Sequence, residues 1–467
     1  MWWWLASCAL APIAPSECVL DQECRQAFGL GSVCGDDGLC QMEGPHPRCT
    51  QTYPLDLWDR PSAYTDHVVL GAMFDLGPDG PNLRSAQLAL NEVNGAGGVH
   101  GQEVAMVQCS YHEDLSVDQL TMEEAVSETA RYLADTVGVP AIIGPGTSGT
   151  AVIAYETLID DDILLIAPSA TSPQLIGIDG EVSTDADPGL FWRPAPPDDA
   201  QAAAIVVDMA SRGIEDVTII YQDNAYGEAL TDLVVEGHTG SEILFAYTSD
   251  NERNAAVADA GYSGAQEVMF IASDVVDVVA FLNSAALLDG YLNKTLFLTD
   301  SAYDAYLLES TSADAQELFP QIRGSRPSTP SGPVYDAFLI AYASAYNGED
   351  PSTGAFNAYA YDAGWMSLYG LSWAMQQGEG IRGTTMAQGL RRLSDPGVSI
   401  SVGPGDWMLA EQQLERGEGF DLQGASGHLD FDPVTGETTN PIDIWTVSTE
   451  GFDTVRVCGT EGTCITP

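Results

Sequence analysis

Along the chain, short apolar runs alternate with longer stretches whose apolar residues recur at helical spacing. His67–Phe74 (H-V-V-L-G-A-M-F) predicts a strand. Asn82–Asn94 predicts a helix with Leu83, Ala86, Leu90 and Val93 on one face, stopped by Gly95, Gly97 and Gly98. Glu103–Gln108 reads as the next strand and Gln119–Thr136 as a long helix. Two buried strands follow, Ala141–Ile143 and Ile163–Ala167, each ending in a turn rich in Gly, Pro, Ser and Thr. Prolines at 194, 196 and 197 break the rhythm, and a second series begins. It predicts helices at Asp198–Ser211, Tyr226–Glu236 and Val275–Leu288. Its strands are Val217–Tyr221, Glu242–Tyr247, Val268–Ala272 and Thr295–Leu298. A second proline-rich passage, Arg326–Pro333, precedes two long helices, Val334–Tyr346 and Ala355–Gln376, and the strand Ile442–Val447 lies near the end. Such alternation implies α/β architecture, with parallel sheets covered by helices on both faces.

Charge narrows the partners. The 467 residues carry 68 acidic and 16 basic side chains, net −52, and Lys294 is the sole lysine. That surface repels nucleic acid and anionic lipid. Nine cysteines point to an oxidising compartment. Cys18, Cys24, Cys34 and Cys40 cluster in a loop-rich module at 9–50, where apolar residues are too few to hold a core without cross-links. Their spacings lack a C-x-x-C pair, which disfavours zinc, and the sequence leaves three disulfide pairings open. Residues 51–66 read as a linker. Leu5-Ala6-Ser7-Cys8 has the form of a lipobox, so residues 1–8 read as a truncated lipoprotein signal with Cys8 as the lipidated residue. The expected location is then extracytoplasmic, with membrane attachment only through that lipid. The other eight cysteines, Cys49, Cys109, Cys458 and Cys464 among them, are the disulfide candidates.

The turns after the strands at 141–143 and 163–167 carry the candidate chemistry. In parallel α/β sheets ligands bind at the carboxyl ends of strands, where helix starts offer free N–H groups. Two hydroxyl-rich turns there suit a small polar ligand held by its carboxylate. Gly144-Pro145-Gly146-Thr147-Ser148-Gly149-Thr150 has the glycine spacing of a phosphate loop, but Thr150 stands where that loop needs lysine. Neither Ser148 nor Ser426 sits in a G-x-S-x-G elbow. The histidines are scattered without an H-x-x-x-H pair, and Asp430-x-Asp432 with Gly436 departs from calcium-loop spacing. No catalytic residue, metal site or cofactor is expected.

Eight stretches resemble, in order, the leucine/isoleucine/valine-binding family of type I periplasmic solute-binding proteins. They are V-V-L-G-A-M-F at 68–74, N-E-V-N-G-A-G-G-V-H-G-Q at 91–102, I-I-G-P-G-T-S-G-T at 142–150, A-P-S-A-T-S-P at 167–173, F-W-R-P-A-P at 191–196, Y-Q-D-N-A-Y-G at 221–227, Y-A-Y-D-A at 359–363 and G-A-S-G-H-L-D-F-D at 424–432. The resemblance implies two Rossmann-like lobes joined by a three-segment hinge: lobe one at 67–194 and 328–440, lobe two at 195–327 and 441–467. It implies pairings Cys49–Cys109 and Cys458–Cys464. It places Ser148 on a ligand α-carboxylate, and Ser169, Ala170 and Thr171 in a second ligand turn. Tyr226 closes over the ligand, and Asp300 pairs with its ammonium. Phe74 and Asp75 line the cleft mouth. The implied role is non-catalytic: capture of an amino acid or similar solute for an ABC permease, or alternatively ligand sensing for a signalling partner.

Overall fold

The computed structural model describes residues 18–76, 80–112, 118–180, 182–329, 331–459 and 463–466. Cys8 and the signal reading of residues 1–8 lie outside them.

The first lobe is built on a six-stranded sheet in the order Gln51–Tyr53, Val104–Ser110, Val68–Phe74, Ala141–Ile143, Leu164–Ile166, Phe191–Trp192. All neighbours are parallel except the first pair. The central strands are buried on both faces, which explains their nearly unbroken apolar sequence. One face packs on the helices Gly80–Gly95, Asn357–Gln377 and Gly383–Leu390, the other on Met122–Arg131 and Ser148–Thr157. Asn357–Gln377 is apolar nearly all round because it runs through the interior. It approaches Gly80–Gly95 closely at Gly364, where a Cβ would stand 2.8 Å from the Ala86 carbonyl oxygen and the Ala89 side chain.

The second lobe has an eight-stranded sheet in the order Ser241–Tyr247, Asp216–Gln222, Glu267–Ile271, Thr295–Leu298, Ile322–Pro327, Ile442–Ser448, Gly451–Cys458, Cys464–Ile465. The first five strands are parallel and the last three join antiparallel, so the sheet is mixed. Three segments run between the lobes, following Trp192 and Pro327 and preceding Ile442. They are tied together: Ser328 N–H donates to the Pro441 carbonyl (2.8 Å) and Thr438 Oγ1 to the Pro194 carbonyl (2.9 Å).

Three expectations need correction. Residues 51–66 are not a free linker. Gln51–Tyr53 is the edge strand of the first sheet, Leu57 is fully buried, and the Trp58 indole donates to the Cys49 carbonyl. The helix at 119–136 starts at Met122, because Thr121 caps it through the Glu124 N–H, and passes into a π turn at Tyr132–Val137. Gly138, at φ 72°, ends that turn in the left-handed region. The helix Asp250–Tyr262 and the strands Ile322–Pro327 and Gly451–Cys458 have no counterpart among the predicted elements.

Four disulfides are present: Cys18–Cys34, Cys24–Cys40, Cys49–Cys109 and Cys458–Cys464. The cysteine-rich module lies against lobe one. Arg25 donates to the Asp135 and Thr136 carbonyls, His46 meets Glu128 (2.9 Å), and Tyr132 donates to the Gly44 carbonyl. Among the described residues no helix is long and apolar enough to cross a membrane.

Candidate ligand-binding site

A cavity of about 390 Å³ lies between the lobes, within the range of small-ligand pockets. Its first wall comes from the turns after Ala141–Ile143 and Leu164–Ile166. Thr147 caps the helix Ser148–Thr157 by accepting from the Thr150 N–H, so Ser148 is not the cap. Ser148 is buried and lines the cavity. Its Oγ accepts from the Ser172 N–H at 3.0 Å, which leaves its own proton to donate. A carboxylate at this helix start meets that hydroxyl and the positive end of the helix dipole.

Ser169 Oγ donates to the Gly146 carbonyl (2.7 Å) and so joins the two turns. Thr171 lines the cavity with its Oγ1 buried and without a hydrogen-bond partner among the described residues. Ala170 departs from expectation: it is fully buried, outside the cavity lining, and its carbonyl accepts from Arg193 Nη1 (2.9 Å). Arg193, itself buried, also holds the Ser172 carbonyl (2.9 Å) and both Glu437 oxygens (2.7 and 2.9 Å). It therefore locks the second turn against the hinge and fills one of the two acceptor positions of the Ala170 carbonyl.

The second wall carries Tyr226 and Asp300. Asn224 Oδ1 caps the helix Ala225–Gly237 by accepting from the Tyr226 and Gly227 N–H groups. That fixes Tyr226, whose hydroxyl donates to Asp300 Oδ1. Asp300 follows the strand Thr295–Leu298, accepts from the Ser301 N–H (3.0 Å) and is only 3% exposed. Burial pushes its carboxyl up to about 6. The two walls touch where Ser172 Oγ donates to the Ala225 carbonyl (2.7 Å).

Asp198, which the sequence reading does not single out, is buried behind the second turn, outside the cavity lining. It is 1% exposed, its N–H donates to the Thr171 carbonyl (2.9 Å), and neither carboxylate oxygen has a hydrogen-bond partner among the described residues. Burial and the Asp300 charge push it well above the carboxylate range, opposed by the nearby Thr171 hydroxyl and Arg193. The F-W-R-P-A-P motif stops two residues short of it, and an acid in a helix's first turn is unremarkable in so acidic a chain.

At the mouth, Asp75 lines the cavity and meets His112 Nδ1 (2.7 Å). Phe74 does not reach the mouth; it is fully buried in the lobe-one core. Asp274 of lobe two also lines the cavity and is pushed up to about 6 by burial, then by Asp277, with a smaller contribution from Asp75 opposite. Glu123, Asp223 and Asp304 complete the acids of the lining, and no Lys, Arg or His stands among its described residues. The helix start with Ser148 thus stands on the lobe-one wall, and carboxylates line both walls, Asp75 and Glu123 on lobe one and Asp223, Asp274, Asp300 and Asp304 on lobe two.

A family model described as periplasmic binding protein matches residues 76–448. The chemotactic signal transduction system substrate-binding protein BasB of Halobacterium salinarum is 26% identical over 388 residues, 79% of this chain and 85% of that protein. The Leu/Ile/Val-binding protein BraC3 of Rhizobium johnstonii is 27% identical over 192 residues, 39% of this chain and 47% of that one. Among solved structures, LivJ of Streptococcus pneumoniae, a branched-chain amino acid transporter substrate-binding protein in complex with isoleucine, superposes with a TM-score of 0.63 at 18% identity, covering 86% of this chain and all of that one. The leucine-binding protein LivK of Thermotoga maritima gives 0.65 at 16%, covering 85% of this chain and all of that one. At those identities the likeness speaks for the fold, and the relatives and neighbours are solute-binding proteins rather than enzymes. With the family model spanning most of its length, this chain belongs to the periplasmic binding protein family.

Proposed function

We propose that the protein captures an α-amino acid between its lobes and delivers it to an ABC importer. One observation carries this reading: one wall of the cleft presents the helix start with Ser148 and the unpartnered Thr171 hydroxyl, and the other presents Asp300 with Tyr226. A zwitterionic head group satisfies both walls at once. Lobe one comprises 67–194 and 328–440, and lobe two 195–327 and 441–467. Contacts made only when both walls meet the ligand shift the lobes toward closure about the three-segment hinge. Cys8, the one cysteine left outside four disulfides, carries a lipid, and the module at 9–50 is the spacer above it.

A second reading has its own support. The relative matching most of this chain is a chemotactic signal transduction substrate-binding protein, which favours a sensor that reports occupancy to a signalling partner. A thermal-shift panel of L-amino acids tests the shared premise, since a ligand that binds the folded state raises the melting temperature. A shift with amino acids and none with their amides or decarboxylated amines supports the head-group assignment. A shift with an aromatic acid or a sugar alone overturns it. Uptake of the same labelled amino acid by cells lacking this gene separates transport, where uptake falls, from sensing, where it does not.

A further inference from the structure

Four carboxylates stand in a row along the lobe-two wall of the cleft. Asp216–Gln222, Glu267–Ile271 and Thr295–Leu298 are neighbouring parallel strands, in that order across the sheet. Each is followed by a turn that brings acid to the cavity: Asp223 after the first, Asp274 after the second, Asp300 and Asp304 after the third. Asn224 Nδ2 donates to Ser273 Oγ (2.8 Å) and Ser301 Oγ to the Ala272 carbonyl (2.7 Å), which stitches the three turns side by side. With neighbouring strands about 4.8 Å apart, the row extends roughly 10 Å across the wall. Asp75 and Glu123 stand on the lobe-one wall of the same cavity.

No cation of the protein balances the row. Outside the lining, the buried carboxylates Asp208, Glu267 and Asp443 each meet an arginine. Of the six carboxylates in the lining, Asp75 alone has a cationic partner among the described residues, His112. Asp274 and Asp304 cap the helices Val275–Ala285 and Ala305–Ser310 through Oδ1, which accepts from the Asp277 and Tyr306 N–H groups. Asp300 is 3% exposed, and its bonds from Tyr226 and Ser301 both fall on Oδ1, which leaves Oδ2 as an acceptor. On the opposite wall the buried Thr171 hydroxyl also lines the cavity, without a partner among the described residues. Acids at the surface of so acidic a chain are solvated and unremarkable. Asp274 and Asp304 are half-buried and Asp300 is buried, and burial raises all three carboxyls, as it does where no nearby cation compensates.

An α-amino acid head group brings one charge of each sign and leaves the row unbalanced. An apolar side chain would desolvate these carboxylates without replacing their water, and an acidic one would add repulsion. A cation on the ligand side chain supplies the missing partner. We propose that the cleft selects amino acids whose side chain ends in a cation, with the α-ammonium at Asp300 and the side-chain cation at Asp274 and Asp304. One strand spacing, about 5 Å, separates the turn of Asp300 from that of Asp274, a span that the four-carbon stem of lysine covers. The inference rests on the amino-acid reading for the head group; the row itself calls only for a cation.

Calorimetry of the whole protein with L-lysine, L-arginine, L-leucine, L-glutamate and cadaverine tests it. Lysine or arginine should bind about 10- to 150-fold tighter than leucine, the range of one hydrogen bond to a charged group, with glutamate weakest. The preference should persist in about 1 M potassium chloride, where a screening length of about 3 Å removes the pull of the distant acidic surface. Asp274→Asn with Asp304→Asn keeps both helix caps, since asparagine caps as well as aspartate, and should bring the lysine-to-leucine ratio toward one. Should the double variant fail to fold by circular dichroism, Asp274→Asn alone is read the same way. Leucine binding as tightly as lysine overturns the proposal. So does a lysine preference that vanishes at high salt, or one that the folded variant leaves intact. Cadaverine binding with no heat from any of the four amino acids refutes the amino-acid reading and leaves the cation-binding row standing.

Discussion

Ser148→Ala separates the two tasks of one hydroxyl. Its Oγ accepts from the Ser172 N–H at 3.0 Å inside the protein, and its proton points the same residue's donor at the ligand carboxylate. Alanine removes both. Leaving the Ser172 N–H unpaired in a buried turn costs about 1–3 kcal/mol of stability. Losing a hydrogen bond to a charged group costs about 1.5–3 kcal/mol of binding, or roughly 10- to 150-fold in Kd. The two losses are read by different assays. Thermal unfolding of the empty variant reports the first, and isothermal calorimetry with the amino acid giving the largest thermal shift reports the second. A lowered melting temperature with unchanged Kd refutes the carboxylate assignment and reduces Ser148 to a stitch between two turns. Weakened binding of the amino acid alongside unchanged binding of its amide would show that the lost contact was to the carboxylate.

Other perturbations follow from burial and chain geometry. Cys49 and Cys109 are 60 residues apart and Cys458 and Cys464 only 6. By loop-closure entropy, replacing the first pair with serine should cost about 4 kcal/mol and the second about 2 kcal/mol in urea unfolding. Asp362 is pushed up to about 7, and Asp274 and Asp300 to about 6, each chiefly by burial. The folded chain therefore binds these protons more tightly than the unfolded chain. Stability from them is fully present below about pH 4 and is lost as pH rises to about 7, at up to ~1.4 kcal/mol per unit for each group. Unfolding of Asp362→Asn between pH 5 and 8 should show a shallower decline than wild type; parallel curves would contradict this. Gly364→Ala drives a methyl to 2.8 Å from Ala86 and Ala89. It should destabilise lobe one by about 1–3 kcal/mol in the same unfolding assay, with the ligand Kd of the folded fraction unchanged.

Legibility tracked burial. Leu164–Ile166 announces itself because both faces are apolar. Ile322–Pro327 does not, because Arg323, Ser325 and Arg326 interrupt it. Those cations are tolerable inside a sheet only because Asp208 and Asp443, distant in sequence, wait there. Gln51–Tyr53 is short, polar and followed by Pro54, and it becomes a strand through its pairing with Val104–Ser110 and the adjacent disulfide. Asp250–Tyr262 has polar and alanine positions too evenly mixed to show a stripe. At the site, Ser148, Ser169, Thr171, Tyr226, Asp300 and Asp75 line one cavity because turns and strand ends keep their order in both sheets. Ala170 and Phe74 sit next to lining residues in sequence but face the interior.

Among the described residues, the disulfide from Cys49 to Cys109, with Arg25 and His46, fastens the leading module to lobe one. Any leash on the chain's first residues therefore pulls on one jaw of the clamp. Were Cys8 lipidated as proposed, lobe one would be the stationary jaw and lobe two the one that swings, so a partner beside the anchor would meet a fixed surface below and a moving one above. The difference between an empty and a loaded protein would then be presented as the position of a single jaw.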